Sequence, residues 1–419
     1  MAVSGIATDR SPSFSLPLRY FLLGVACYLL TMVGVAVFGG ELTGSTWTPH
    51  LLALTHLLTL GTILSVIMGA TYQLLPVVLL ATVWSQGLGK AVFWVYLAGM
   101  LGMVAGFCHW MPVLIGVGGT LVVAAILVFL LNIALSLKQG ATWNRIGAAM
   151  VVALVMLVAA GVVGSLRVAA YSMPGLAVPV ANAVVAHAHL AAFGCATLYI
   201  FGLSYQMITM FVVTHGHDRL GWPVLVTGTL GIVTLAAGSL GQLSWLWRLG
   251  AVLMSVSCWL WCYDVWRMYR GRTRKALDVG LTLVYSALPY LLGATVLGLL
   301  LAFGVETGLS HEGMMAAYAF LGLVGFVTFT ILGWLYKIMP FLSWYHRYSK
   351  LVGTRKVPMI KDLFDEKIAW AGFWLSHAGL LAIALSLLLH VAPGVQVGGL
   401  LAALGAATVQ LMLIQTLRR

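Results

Sequence analysis

Twelve runs of mostly apolar residues follow one another along the chain, at roughly 17–39, 50–80, 90–108, 111–137, 146–167, 183–214, 220–240, 243–268, 279–304, 314–345, 367–389 and 394–416. A helix needs ~20 such residues to cross a bilayer, and only a helix or a closed barrel satisfies every backbone N–H and C=O inside lipid. With 62% of its 419 residues hydrophobic and 8% charged, the chain lacks the polar surface of a soluble globule. The sequence therefore predicts an all-α, polytopic membrane protein, one membrane domain over residues 1–419, with the lipid bilayer as its first partner. The first run is full length and lacks a small-residue cleavage site, so it is expected to be a span rather than a leader.

Basic residues number 22 against ten acidic ones, a formal charge of +12. They are spread over short connections between apolar runs, which fits membrane sidedness and not nucleic-acid binding. With the N-terminus inside, all but Arg167, Arg248 and Lys337 fall on the cytoplasmic side, among them the RGRTRK stretch at 270–275. Both termini are then cytoplasmic. The five cysteines, Cys27, Cys108, Cys195, Cys258 and Cys262, lie in or at the ends of apolar runs and make no disulfide framework. Cys258 and Cys262 share a helix face at i, i+4, a spacing open to a soft-metal pair as well as to plain burial.

Three stretches share a skeleton: THLLTLGTILSVIMGATYQLLP at 55–76, AHAHLAAFGCATLYIFGLSYQ at 186–206 and AYAFLGLVGFVTFTILGWLYKIMP at 317–340. Gly61, Gly194 and Gly325 coincide. So do Gly69, Gly202 and Gly333, then Tyr72, Tyr205 and Tyr336, followed by Gln73, Gln206 and Lys337. Pro76 and Pro340 match, and Thr209 stands in the second copy. The repeat is four runs long, so the twelve predict a pseudo-threefold arrangement of four-helix units, marked by the helices at 50–80, 183–214 and 314–345. The repeated glycines let a neighbouring helix, or a flat planar group, approach closely.

Within this skeleton His56 and His189 occupy one position, five residues before the first glycine, where the third copy has Phe320. Imidazoles at matching depth in two apolar helices point to function, since an unpaired ring nitrogen in hydrocarbon costs about 1–3 kcal/mol. Paired axial ligation of a haem iron would occupy one nitrogen of each ring, with carbonyl acceptors for the other. His187 lies roughly 200° around the helix from His189. It either serves a second centre or bonds to a neighbour. His377, deep in the eleventh run, is either a metal ligand or bonded to a carbonyl. Arg167 and Arg248, on the outer face, are candidate partners for haem propionates or plain interfacial arginines. His50, His109, His311 and His390 also fall near the outer surface, and His215, His217 and His346 at the cytoplasmic edge. The acidic residues lie in loops or near helix ends, Asp264 being nearest the membrane interior, and Lys337 reads as a snorkelling side chain.

Twelve helices, cytoplasmic termini, a histidine near the outer end of the second helix followed by GATYQLLPV, and an H-x-H in HAHLAAFG together resemble the haem-copper oxidase and nitric oxide reductase subunit I superfamily. The small subunit-I-like and NnrS-type haem membrane proteins are the nearest in pattern. The resemblance covers the architecture, while the residue match is confined to the three marked helices. It implies a low-spin haem ligand at His56. The superfamily's H-x-H stands in the tenth helix, but here it is in the sixth, and the His-His pair that holds copper in the seventh helix has no counterpart in GWPVLVTGTLGIVTLAAGSLG.

The expectation that follows is a b-type haem protein of the bacterial inner membrane. It would hold one or two haems through His56, His189 and His187, with Gly61 and Gly194 beside them and Arg167 and Arg248 on the propionates. It would pass electrons from a periplasmic-side, cytochrome c-like donor to the membrane or to other respiratory subunits. Whether the chain is itself an oxidoreductase stays open. A second reading adds copper or another metal at His187, His377 and His109 to reduce nitric oxide or oxygen. A third makes it a metal or solute transporter.

Overall fold

The computed structural model describes residues 12–44, 48–170, 179–214 and 219–419. Among them twelve helices are long and apolar enough to cross a membrane, and no residue lies in a strand. They are α1 (Ser15–Leu42), α2 (Pro49–Val78), α3 (Gln86–Cys108), α4 (Pro112–Leu137), α5 (Arg145–Ala169), α6 (Val180–Val212), α7 (Gly221–Leu240), α8 (Ser244–Arg270), α9 (Val279–Phe303), α10 (His311–Leu351), α11 (Glu366–Leu388) and α12 (Ala392–Arg418). Each starts and stops within a few residues of an apolar run. The protein is an all-α polytopic membrane protein. His215 and His217 lie outside the described residues.

Side chains fix several starts. Thr48 caps α2 through the Leu51 N–H, ahead of Pro49, and Ser85 accepts from the Leu88 N–H at the start of α3. Asn144 accepts from two N–H groups of α5, and Ser310 and Asp365 cap α10 and α11. Each meets an N–H that the first turn leaves unbonded.

Three hairpins repeat one design. α3–α4, α7–α8 and α11–α12 are each joined by three residues, the middle one left-handed: Trp110, Gln242 and His390, with φ of 50°, 56° and 56°. The residue after it donates its N–H back to Gly106, Gly238 or Ser386, each at 2.8 Å, closing the C-terminal turn of the first helix. Inside the hairpins a glycine pair sits at the same place: Gly99 with Gly118, Gly231 with Gly250, and Gly379 with Gly398. A Cβ on Gly99, Gly231 or Gly379 would stand 2.8, 2.6 or 2.6 Å from the backbone N of Val122, Met254 or Ala402. Lipid tails are as apolar as leucine, so helices in a bilayer gain little from hiding greasy side chains and associate by close packing instead. The glycines let backbone meet backbone.

The chain forms two compact units. The first comprises Ile67–Lys275 and Thr295–Glu306, with the segment up to Leu16. Within it α6 packs on α5 and α7, Tyr199 of α6 donates to Thr71 of α2 (2.7 Å), and Trp259 of α8 donates to Thr295 of α9 (2.9 Å). The second comprises Pro17–Val66, Ala276–Ala294 and Thr307–Arg419. There Gly280 of α9 and Gly333 of α10 face each other, with the carbonyl of each 2.6–2.7 Å from where the other's Cβ would be. Ser343 of α10 donates to the Thr416 carbonyl of α12 at 2.9 Å. The sequence reads as one membrane domain, whereas the contacts gather in these two units.

Candidate functional site

The marked helices carry a feature the sequence did not announce. In α2, α6 and α10 the backbone widens into a π-helix for eight residues: Leu57–Leu64, Leu190–Thr197 and Leu321–Thr328. Each stretch begins one residue after His56, His189 or Phe320, and Gly61, Gly194 or Gly325 is its fifth residue. π-helices make up well under ~1% of residues in globular proteins and gather at functional sites. A hydroxyl stands at the end of the widened ladder in every copy, just past it in the first and on its last residue in the other two: Ser65, Thr197 and Thr328 donate to the carbonyls five residues back, of Leu60, Ala192 and Leu323.

His56 and His189 stand at the last α-helical position before this widening and take the same pose. The Nδ1–H of His56 donates to the Leu52 carbonyl at 2.8 Å, and that of His189 to the Val185 carbonyl at 2.7 Å, one turn back in each helix. A carbonyl can only accept, so Nδ1 carries the hydrogen and the ring lone pair is on Nε2. Both rings are half-buried. His189 also stacks with Phe193, centroids 5.8 Å apart. His56 belongs to the second compact unit, and His187 and His189 to the first.

His187 faces elsewhere, as its angular offset requires. Its Nδ1–H donates to the Ala160 carbonyl of α5 (2.8 Å), and its ring fills a notch where a Cβ on Gly164 would lie 2.9 Å from Cε1. The alternative in which His187 bonds to a neighbour is the one the structure displays. His377 donates from Nδ1 to the Phe373 carbonyl (2.8 Å) and meets Ser286 Oγ through Nε2 (2.9 Å), among the rings of Tyr290, Phe329 and Phe373. Of the two readings of His377, the carbonyl bond is the one the structure displays, with Ser286 at the other nitrogen. Among the described residues no three His, Cys, Asp or Glu gather in a way that could hold a metal ion.

The glycines and arginines take other work as well. A Cβ on Gly61 would lie 2.7 Å from Cys27 Sγ of α1, and one on Gly194 would lie 2.9 Å from Met156 Cβ of α5. Those faces are closed by the preceding helix, the first of the two alternatives the glycines offered. Arg248 donates from Nε to the Ala302 carbonyl (3.1 Å), capping the C-terminus of α9, with its guanidinium over Phe303. Arg167 lies half-exposed in the last turn of α5. On the same unit as α1, His50 pairs with Glu41 and stacks on Phe38, while His390 bonds Ser310 and the Thr43 carbonyl, so these two histidines serve separate local ties.

The repeated tyrosines each reach the fourth helix of their own set. Tyr72 accepts from Asn132 Nδ2 (3.3 Å), Tyr205 donates to Asp264 Oδ2 (3.2 Å), and Tyr336 bonds Thr408. The same fourth helix takes the backbone N–H that precedes the third: Ser85 N–H donates to Asn132 Oδ1 (3.1 Å), Leu220 N–H to Asp264 Oδ2 (2.9 Å) and Asp365 N–H to Gln415 Oε1 (2.8 Å). Asp264 is fully buried, where the sequence placed it merely near the interior. Lys337 pairs with Asp278, the N-terminal cap of α9, in place of the snorkelling expected of it.

No protein-family model matches the chain, and no curated protein does.

Proposed function

We propose that the protein is a membrane-embedded b-type haem protein of the bacterial inner membrane, with His56 and His189 as haem ligands and electron transfer as its role. One observation carries this reading. Two half-buried imidazoles occupy the same repeat position, each directly before a π-turn, and each has its Nδ1–H fixed by a carbonyl so that the ring lone pair is on Nε2. Metal-bound histidines usually hold their second N–H in this way, which sets the tautomer, aims the ring and raises its basicity. The donor chemistry of the two residues thus fits a haem iron.

A haem so held would supply a one-electron couple, its potential set by imidazole ligation in a low-dielectric site. The chain's own part is to hold each ring on its own helix and to keep water from it with the apolar residues of the π-turns. The three π-turns, the three glycine hairpins and the three tyrosine ties support the further reading that α1–α4, α5–α8 and α9–α12 are equivalent four-helix units. The basic connections support cytoplasmic termini. A periplasmic cytochrome c-like donor and partner respiratory subunits are what the likeness to subunit I implies.

The test is a reduced-minus-oxidised absorption spectrum of the purified protein, which should show a sharp b-type α band. His56→Ala and His189→Ala should each abolish it, and His187→Ala should leave it in place. A full band in both of the first two variants overturns the assignment.

A further inference from the structure

The haem reading uses neither Ser310 nor His390, which meet within the second unit. Ser310 is the N-cap of α10, and His390 is the left-handed residue between α11 and α12. Their side chains are hydrogen-bonded through Ser310 Oγ and His390 Nε2, and His390 Nδ1 lies 2.9 Å from the Thr43 carbonyl, just past the end of α1. A carbonyl only accepts, so in the neutral ring Nδ1 carries the hydrogen and the lone pair is on Nε2. The serine hydroxyl is therefore the donor between them.

A serine that gives its hydrogen to an imidazole, itself held by a third group, is the arrangement that turns a weak hydroxyl into a nucleophile. Gly313 makes the room. A Cβ there would stand 2.8 Å from Ser310 Oγ and 3.2 Å from His390 Nε2, crowding both. In GLSHEG a second glycine, Gly308, stands two residues before the serine, close to the G-x-S-x-G spacing of a nucleophile elbow. Ser310 Oγ also accepts the Gly313 N–H at 3.0 Å, as a cap does. Capping alone asks for no histidine: Ser85 caps α3 through the Leu88 N–H, with Asn132 as its other partner. Thr307, Gly308, Leu309, His311, Glu312 and His390 are all exposed, so the pair stands at a water-facing end of the spans.

We propose that Ser310 is the nucleophile of an esterase-type site, with His390 as its general base and the Thr43 carbonyl as the group that orients the imidazole. The substrate class is a small carboxylic ester arriving from the aqueous side. Ser310 Oγ forms a bond to the ester carbonyl carbon as its proton passes to His390 Nε2. The ester C–O bond then breaks, and the departing alkoxide takes that proton and leaves as the alcohol. Water, giving its proton to the same nitrogen, hydrolyses the acyl-serine and restores the hydroxyl. The N–H of His311, the residue after the nucleophile, belongs to the first turn of α10, whose N–H groups have no acceptor within the helix. A neutral carbonyl steadies an imidazolium less than a carboxylate does, which suits esters and not the poorer leaving groups of amides.

The full-length protein in detergent, treated with a fluorescent fluorophosphonate, should be labelled at Ser310, the Oγ–P bond forming as fluoride leaves, with the site read by peptide mass spectrometry. It should also hydrolyse p-nitrophenyl butyrate. Ser310→Asn keeps a good cap and removes the nucleophile, so it should lose both signals with its melting temperature little changed. His390→Asn keeps a residue that tolerates the left-handed turn, and should slow labelling about 100-fold, the low end of general-base contributions. Absence of label at Ser310 in the folded wild-type protein overturns the proposal. So does labelling of Ser310 no faster than that of Ser85, which would make it an ordinary exposed cap, or an unchanged rate in His390→Asn.

Discussion

The α3–α4 and α7–α8 hairpins are built alike and differ in one buried side chain. Fourteen residues after Gly118 stands Asn132, and fourteen after Gly250 stands Asp264. Both are fully buried. Both take the backbone N–H at the start of the third helix of their set, and both touch the repeated tyrosine. The amide does this as donor and acceptor, giving its Nδ2–H to the Ser85 carbonyl (2.9 Å) as well as to Tyr72. The carboxylate can only accept, so the tyrosine turns round and donates, and two guanidinium groups are brought in: Arg267 on its own helix, and Arg145 of α5, lying over the Tyr205 ring. A neutral residue suffices to join the helices. A buried charge in the same place demands arginines from elsewhere, because an ion that leaves water must be repaid by close opposite charge and hydrogen bonds. In the third hairpin the corresponding position is Met412, and its two tasks pass to Thr408, one turn earlier, and Gln415, one turn later.

The comparison is broken most forcefully at what the two hairpins share. Gly99→Leu and Gly231→Leu should each cost more than about 3 kcal/mol, because the added side chain meets the backbone N of Val122 or Met254, which cannot step aside as a rotamer could. Both variants should fail to yield monodisperse protein in detergent. If either purifies with an unchanged melting temperature, the backbone contact is not what holds its hairpin.

Next in size is Asn132→Asp, which places a carboxylate in the neutral site. One oxygen would face the Ser85 carbonyl that Nδ2 now serves, and no arginine is among the groups that bond Asn132. A loss of about 3–5 kcal/mol is expected, the magnitude of an uncompensated buried charge. Thermal unfolding followed by tryptophan fluorescence should register it at neutral pH.

How much of this could be read from the chain alone differs from element to element. The spans were legible because hydropathy over ~20 residues is set by the bilayer itself. The match of His56 with His189 was legible because the glycines and tyrosines around them hold a common register. The π-turns were not, since widening a helix by one residue per turn leaves the kinds of residue almost unchanged. The hairpin pairs such as Gly99 with Gly118 were lost among 47 glycines, although their recurrence at one spacing in three hairpins is the signal that would have found them. Asp264 looked interfacial because it lies six residues from the end of α8. Its burial depends on Tyr205 and on Arg145 reaching across from α6 and α5, a tertiary fact that no local pattern carries.

The smallest effect should come from the reverse exchange, Asp264→Asn, and it is the sharpest test of what the charge is for. Asparagine can reproduce the first hairpin's arrangement, accepting the Leu220 N–H on its oxygen and donating its amide hydrogen to Tyr205. What it gives up is the partner of Arg145 and Arg267. Both arginines are half-exposed and can turn toward water, so the loss should be about 1–2 kcal/mol, well below that of Asn132→Asp. Tyr205 would again accept rather than donate, a reversal visible as a shift of its phenolic C–O stretch in the infrared. A loss as large as that of Asn132→Asp would mean that the arginines are held in place by Asp264 and cannot reach solvent. The second hairpin would then be an ion-pair structure in its own right rather than a charged copy of the first.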